Sequence, residues 1–567
     1  MEFAQARVDG NVPVFWTQAG DELTAGLVFR VGRADERLAR GGITHLVEHL
    51  ALHPLGVSAR MDCNGQVDAL TTTFVTRGTP EEVADFFNAV CASLRELPMG
   101  RLEAEKQVLR TEADMRRPVI SDPLLIGRYG ADTYGLSGYP EYGIGAFQAQ
   151  EVRAWAGQHF TRGNAALWVA GGPPPSGLRL DLPDGSAMPP PQPARTETRT
   201  PGWVNAPVQG VGWSGLVRRS TPAQVYASVL GRRLLQELRH KQGLAYSPRV
   251  SYAVRDADLA HVIAAADGLP EVHSILVSAF ILELERLEAA EITEEELIST
   301  VESMRAAAET SRGAAGRVTV AARNAIMGRP AASDGAGSEG LAPVSAAAVH
   351  AVAKEAFSSS LFVLPPKRRP FRAGFTALGG SAGPAVAGRE IRRADFPLDQ
   401  ATLVIGADGV SAVRGQAVDT VLYAACAALL TWPDGARRLI SRDGVSIRVE
   451  PTLWRLEDHA ARIEDSIGAD RRVSMPSRPA QAVPLPWTRR PDRIAGWMLV
   501  GPRAVIATGA APIAVLFVLV LLLASNTISF GAIILVWPAM ALGVVNARLA
   551  RVRLLKRAAK RNAEQRF

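Results

Sequence analysis

Three of the nine histidines in this 567-residue chain, His45, His49 and His53, fall within the stretch GGITHLVEHLALHPLG at residues 41–56. On a helix, His45 and His49 stand four apart and project from one face, and Glu48, three after His45, reaches the same side. Two neutral imidazoles bind a zinc ion well, but a catalytic zinc needs a third protein ligand and an open position for water. The segment LEAEKQVLRTEAD at 102–114 offers a carboxylate: Glu105 and Glu112 are seven apart, so they share a helix face. One would bind the metal while the other orients a histidine from behind. Glu48 would then take the proton from water that zinc has acidified toward neutrality. His53, which precedes Pro54, fits a structural or rim position better than a fourth ligand, because a catalytic zinc keeps one position free.

These side chains need a frame, and the flanking patterns supply one. ELTAGLVFRVG (22–32) alternates as a strand does, and DALTTTFVTRG (68–78) is rich in β-formers. TPEEVADFFNAVCASLREL opens as a helix, with Thr79 as N-cap, Pro80 at the first position and Glu82 completing a capping box. Helices over 101–117 and 148–160 and a strand AALWVAGG (165–172) complete the first block. A second block repeats the order. VQGVGWSGLV reads as strand, AQVYASVLGRRLLQELRHKQG as helix, VSYAVRD and LAHVIAAA as strands, and about 269–289 as a long helix. Two tandem homologous α/β units follow. A third block is different: Asp-Gly turns at 408–409, 434–435 and 443–444 punctuate short strands, and LWRLEDHAARIEDSI closes it as a helix. It reads as a small β-rich domain of a pleckstrin-homology-like kind.

The length requires several cores, and Pro- or Gly-rich segments mark where they divide. The expected units are 1–182, carrying the histidines; 200–365; a linker at 366–394; the β-rich domain at 395–470; and a second linker at 471–502. Between Arg503 and Arg548 run 44 uncharged residues with polar SNTIS near their middle. One span needs about 20 residues, so 503–548 reads as a transmembrane hairpin. Basic flanks, Arg489, Arg490, Arg493 and Arg503 before it and the tail 549–567 after it, place both ends in the cytoplasm and suit anionic lipid. Residues 548–567 hold eight Lys or Arg against one Glu, which accounts for the whole net charge of +7. The remainder is neutral and lacks interleaved basic and aromatic residues, so nucleic acid is excluded as a partner. Three scattered cysteines, Cys63, Cys91 and Cys426, form neither a disulfide framework nor a zinc module, and the start of the chain does not read as a leader.

HLVEH is the inverted zinc-peptidase motif HxxEH. Together with GGITHLVEHL, DALTTTF, EAEKQVLRTE, YGLSGYPEYGIGAFQAQEVRAWAGQHFTRGNAALWVAGG and LLQELRHKQGLAYS, it resembles the insulinase or pitrilysin family of zinc metallopeptidases, over roughly residues 8–360. The resemblance implies an α+β fold of two tandem insulinase-like sandwich domains ahead of the β-rich domain and the hairpin. It implies zinc bound by His45, His49 and Glu112, with Glu48 as base and Glu105 as supporting acid. It also implies that Arg239 and Tyr246, seven apart in RHKQGLAY, hold a peptide substrate and polarise its carbonyl. Three features depart from the family. The 62 residues between His49 and Glu112 are fewer than usual, Asp68 stands where Asn is common, and only two of the four chamber-forming domains are present. The last implies a homodimer or a heterodimer with a related subunit, Arg239 and Tyr246 acting on the partner's zinc. The expected function is that of a membrane-anchored, cytoplasm-facing zinc endopeptidase acting on short or unfolded peptides; a catalytically silent scaffold or peptide-binding subunit is the alternative.

Overall fold

A computed structural model describes residues 3–486 apart from 9–11, 19–21, 54–61, 117–118, 194–199, 290–291, 333–343, 371–373, 382 and 455–458. The candidate hairpin 503–548 and the basic tail lie outside the described residues. Among the described residues no helix is long and apolar enough to cross a membrane.

The first unit contains strands β1 (Ala4–Val8), β2 (Val12–Thr17), β3 (Leu23–Phe29), β4 (Asp62–Val67), β5 (Thr72–Gly78) and β6 (Ala165–Ala170). Its helices are α1 (Ile43–Leu52), α2 (Pro80–Arg95), α3 (Leu102–Met115), α4 (Asp122–Tyr129) and α5 (Ala149–His159). The sheet runs β1-β2-β6-β3-β5-β4, with β2 and β6 parallel and every other neighbour antiparallel. In the second unit are β7 (Gly202–Asn205), β8 (Gly210–Arg218), β9 (Arg249–Val254), β10 (Leu259–Asp267), β11 (Leu361–Leu364) and β12 (Thr376–Ala377). Its helices are α6 (Thr221–Leu234), which continues as a π-helical stretch Leu235–Lys241, α7 (His273–Glu288), α8 (Glu294–Glu309), α9 (Ser311–Ile326) and α10 (Ala346–Ser358). The order β12-β7-β11-β8-β10-β9 repeats the first sheet from β2 inward, with β7 and β11 parallel as β2 and β6 are; the edge differs, because β12 follows β11 in the chain and pairs parallel with β7, whereas β1 precedes β2 and pairs antiparallel. The duplication read from the order of elements is therefore present in the topology.

Each sheet buries one face under helices of its own unit. In the first, Phe29, Phe74, Leu46, Leu50, Phe86 and Phe160 share a core; in the second, Trp213, Tyr226, Leu230 and Phe280 do. The opposite faces are covered by exchange. Helix α9 of the second unit lays Val318, Ala321, Ala322 and Ile326 on Phe15, Ala166 and Trp168 of the first sheet. Helix α4 of the first unit sets Leu124 against Leu361 and Val363 of the second. A sheet with two apolar faces needs two covers, and the duplication lets each unit supply the other's.

The third unit comprises β13 (Gly388–Arg392), β14 (Thr402–Gly406), β15 (Gly409–Arg414), β16 (Ala417–Leu422), β17 (Cys426–Thr431), β18 (Arg437–Ser441), β19 (Ser446–Val449), α11 (His459–Asp465) and β20 (Arg472–Ser474). These strands form two four-stranded sheets, β13-β14-β15-β16 and β19-β18-β17-β20, around a core that includes Leu403, Leu439, Trp454 and Ile463. The expected linkers are partly structured. Thr376 and Ala377 extend the second sheet, β13 begins ahead of 395, and β20 follows the helix and pairs with β17. The Pro-rich segment after β6 is also ordered: Leu178, Leu180 and Leu182 are buried in the first core, so this stretch is an extended strap and not a free tether.

Candidate metal centre

Helix α1 carries the histidines between β3 and β4, and its first turn is fixed from outside. Gly42, at φ 100°, is in the left-handed region, where a side chain would also collide with Ile144 and Glu141. Glu36 caps buried N–H groups of the first turn, Oε2 accepting from Gly42 at 2.8 Å and Oε1 from Thr44 at 2.9 Å. Burial raises the Glu36 carboxyl to about 7 against the pull of those two donors.

One face of this helix meets α3. His45 Nε2 lies 3.7 Å from Glu112 Oε2, and His49 Nε2 lies 3.8 Å from Glu112 Oε1. The three ligand atoms all fall within 4.8 Å of one another. A tetrahedral zinc with bonds near 2.0–2.1 Å separates its ligands by about 3.3–3.4 Å, so the set fits after a contraction of up to about 1.4 Å for its widest pair. Behind the imidazoles the Nδ1 atoms face carboxylates: His45 faces Glu141 at 3.0 Å and His49 faces Glu105 at 3.4 Å. Each Nδ1–H can donate to its acid, which leaves Nε2 as the lone-pair donor toward Glu112. Glu105 is itself held by Arg101 at 3.3 Å. His53 lies beside Glu105 at 3.7 Å with its side chain 40 % exposed, and it is not among the three grouped candidate ligands.

Glu48 is 4 % exposed, and its Oε2 stands 3.8 Å from both His45 Nε2 and His49 Nε2. Burial raises its pKa, an effect the two histidines only partly offset. His45 experiences the opposite balance: burial would lower it, but Glu141, Glu48 and Glu112 outweigh burial and raise it. For Glu141, burial would raise the carboxyl, yet His45 together with Arg33 and Arg116 holds it below its ordinary range. Arg33 also donates to the Tyr139 carbonyl at 2.7 Å, which fixes the loop bearing Glu141.

The edge strand β4 passes directly over this group. A Cβ on Gly65 would sit 1.7 Å from Glu48 Oε1, so a side chain at that crossing would displace the Glu48 carboxylate from its present position. Asp68, just beyond β4, is not a free charge: it accepts from the Leu70 and Thr71 N–H groups and pairs with Arg323 of α9 at 2.6 Å.

His45, His49, Glu112, Glu48 and Glu105 are thus brought together, whereas Arg239 and Tyr246 are not. Arg239 stacks 5.1 Å over the Tyr246 ring, and Tyr246 is 81 % exposed. Neither lines the cavity of about 1620 Å³ that reaches His45 and Glu112. Two acids absent from the sequence reading contribute here, Glu141 behind His45 and Glu36 at the helix start. Glu141 lies 96 positions from His45 with no spacing rule to connect them; Glu36, six before Gly42, could have been read as a cap ahead of the helix.

No protein-family model and no curated protein matches the sequence. Solved structures share the fold. A protease from Helicobacter pylori is 16 % identical with a TM-score of 0.53, covering 64 % of this chain and 99 % of its own. The peptidase M16 inactive domain from Pseudomonas fluorescens is 12 % identical with a TM-score of 0.51, covering 68 % of this chain and 100 % of its own. A chain of complex III2 from Candida albicans is 12 % identical with a TM-score of 0.51, covering 63 % and 94 %. The tandem units therefore have the fold of M16, insulinase-like, peptidases. Because one of these is an inactive domain, the fold alone does not carry catalysis.

Proposed function

We propose that this chain is a zinc endopeptidase for short or unfolded peptides, with His45, His49 and Glu112 holding the metal. The observation that carries the reading is the convergence of two imidazole Nε2 atoms and one carboxylate, with Glu48 at 3.8 Å from both imidazoles. Zinc bound there supplies a water acidified toward neutrality and polarises the scissile carbonyl. Glu48 accepts the water proton and passes it to the leaving amine; its burial, which raises its pKa, suits both halves of that task. Glu105 and Glu141 fix the imidazole orientation and tautomer. β4 is an edge strand whose outer side pairs with no strand among the described residues, so an extended peptide can add there beside Glu48.

Arg239 and Tyr246 lie outside the cavity of their own chain, so their proposed work on a substrate carbonyl falls to a second, related subunit. The apolar segment 503–548 is proposed as a two-pass anchor that keeps the peptidase units on the cytoplasmic side of a membrane. The silent-scaffold alternative draws on the inactive M16 domain among the similar structures.

The test is stoichiometric zinc and peptide cleavage by the detergent-solubilised chain, with a Glu48→Gln variant expected to keep its zinc and lose at least 100-fold in kcat. A chain without zinc, or a variant cleaving as well as the parent, would overturn the enzyme reading in favour of the scaffold. Mixing Glu48→Gln with Arg239→Ala chains should restore cleavage if the site forms between subunits; mixed dimers without activity would exclude it.

A further inference from the structure

The third domain walls the cavity that reaches the candidate metal centre. The β18–β19 turn, Arg442 to Val445, lines it opposite His45, Glu112 and Glu141, and Arg438 on β18 lines it as well. This wall is built to hold its position. Ala131 N–H of the first unit donates to the Arg442 carbonyl at 2.9 Å. Gly130, at φ 66°, admits that carbonyl so closely that a Cβ there would stand 2.0 Å from its oxygen. Alongside, Ile440 and Leu430 pack on Tyr139 and Leu136 in one apolar seam.

The arginines of this cavity are not equivalent. Those of the first unit are occupied: Arg33 binds the Tyr139 carbonyl and faces Glu141, and Arg116 pairs with Asp122. Those of the third domain pair with no acid among the described residues. Arg438 donates through Nε to Ser446 Oγ at 2.7 Å and meets no carboxylate among the described residues. Arg442 is exposed, and among the described residues its guanidinium forms no ion pair. The acid that follows Arg442, Asp443, accepts through Oδ1 from the Val445 N–H at 3.1 Å. Two fork-shaped donors are therefore presented to a cavity that elsewhere satisfies its own cations, and a guanidinium pair of this kind matches a carboxylate.

Resting on the peptidase reading above, we infer that Arg438 and Arg442 form a subsite that anchors a carboxylate of the peptide, either an acidic side chain or the C-terminus. The path from the metal centre is short. His45 touches Glu141 at 3.0 Å, Tyr139 is two residues back, and Ile440, which packs with Tyr139, is two residues from each arginine in sequence. An extended peptide advancing about 3.3 Å per residue bridges this in on the order of four to six residues. The third domain then measures substrate from the cut to an anionic anchor.

The experiment uses the full chain and four labelled peptides of one sequence that differ only in Glu or Gln at the distal position and in a free or amidated C-terminus. Dissociation constants are measured on zinc-loaded Glu48→Gln protein, with and without Arg438→Gln and Arg442→Gln, and cleavage is measured on the catalytic parent. Carboxylate-bearing peptides should bind roughly 10- to 100-fold more tightly than the fully neutral one, and the double arginine variant should erase the difference. The Glu/Gln and acid/amide arms identify which carboxylate is read. Replacing both arginines with Glu should instead favour a peptide with Lys at that position, a gain that misfolding cannot imitate. Equal binding of acidic and neutral peptides, or a preference that survives the double variant, overturns the subsite even if all four peptides are cut. Carboxylate-selective binding by a parent that cuts none of them would support the subsite and sink the peptidase reading.

Discussion

Glu48 gains its place from a glycine as much as from its helix. Its carboxylate lies between two histidines and the backbone of β4, and Gly65 is the point of contact. A methyl group there must push the carboxylate or the strand by more than an ångström, and the three atoms nearest to it all belong to Glu48, not to a proposed ligand. We therefore expect Gly65→Ala to lower kcat/KM by about 100-fold, the usual penalty for misplacing a catalytic group on that scale, with zinc content unchanged. Loss of zinc together with activity would show instead that the whole centre collapses. At this scale much was legible in the sequence. His45, Glu48 and His49 follow from the three- and four-residue period of one helix, and Glu105 and Glu112 from two turns of another. Glu141 and Gly65 were not, because their roles arise where separate elements cross, and local periodicity carries no record of a crossing.

The site depends on helix α1 starting at the right residue, because His45 and His49 occupy its first two turns. Gly42 and Thr44 N–H groups have Glu36 as their capping partner, and the carboxyl is 7 % exposed. Glu36→Ala would leave two buried donors unsatisfied at a helix end, a loss of about 2–4 kcal/mol. Denaturant unfolding should show it, and zinc affinity should fall in parallel as the first turn frays; an unchanged unfolding midpoint would mean that water replaces the cap at no cost. Capping signals did announce α2, where Thr79 and Glu82 form the box anticipated from TPEE. Elements without such punctuation escaped notice. The strand β4, Asp62–Val67, is polar and lies at a sheet edge, so it lacks the apolar alternation that marks a half-buried strand. The strap at 174–193 does bury Leu178, Leu180 and Leu182 at period two, but without ladder partners its prolines dominate the pattern.

On the scale of the whole molecule, the two halves hold each other through residues far apart in sequence, which neither composition nor period could reveal. Asp68 meets Arg323, and α4 and α9 cross to the opposite sheets. Within this seam, Oη of Tyr129 at the end of α4 hydrogen-bonds with Nε2 of His261 on β10 at 2.5 Å. His261 is 5 % exposed. Burial, with Arg128 and Arg255 close by, drives its pKa well below 6.5. The folded chain therefore keeps this imidazole neutral, while the unfolded chain protonates it below about pH 6.5. The unfolded state then binds more protons, so the stability that His261 contributes is intact above pH 6.5 and declines as the pH falls toward the folded-state pKa, by up to about 1.4 kcal/mol per pH unit. His261→Phe removes that titration but leaves the Tyr129 hydroxyl without this hydrogen bond, so the variant should be less stable at pH 7 by about 1–3 kcal/mol. Between pH 7 and pH 5.5 its melting temperature should nevertheless fall less than that of the parent. If both lose the same number of degrees over that interval, His261 is not the acid-sensitive contact of the seam, and the link between the two peptidase-like halves must weaken in acid through other groups.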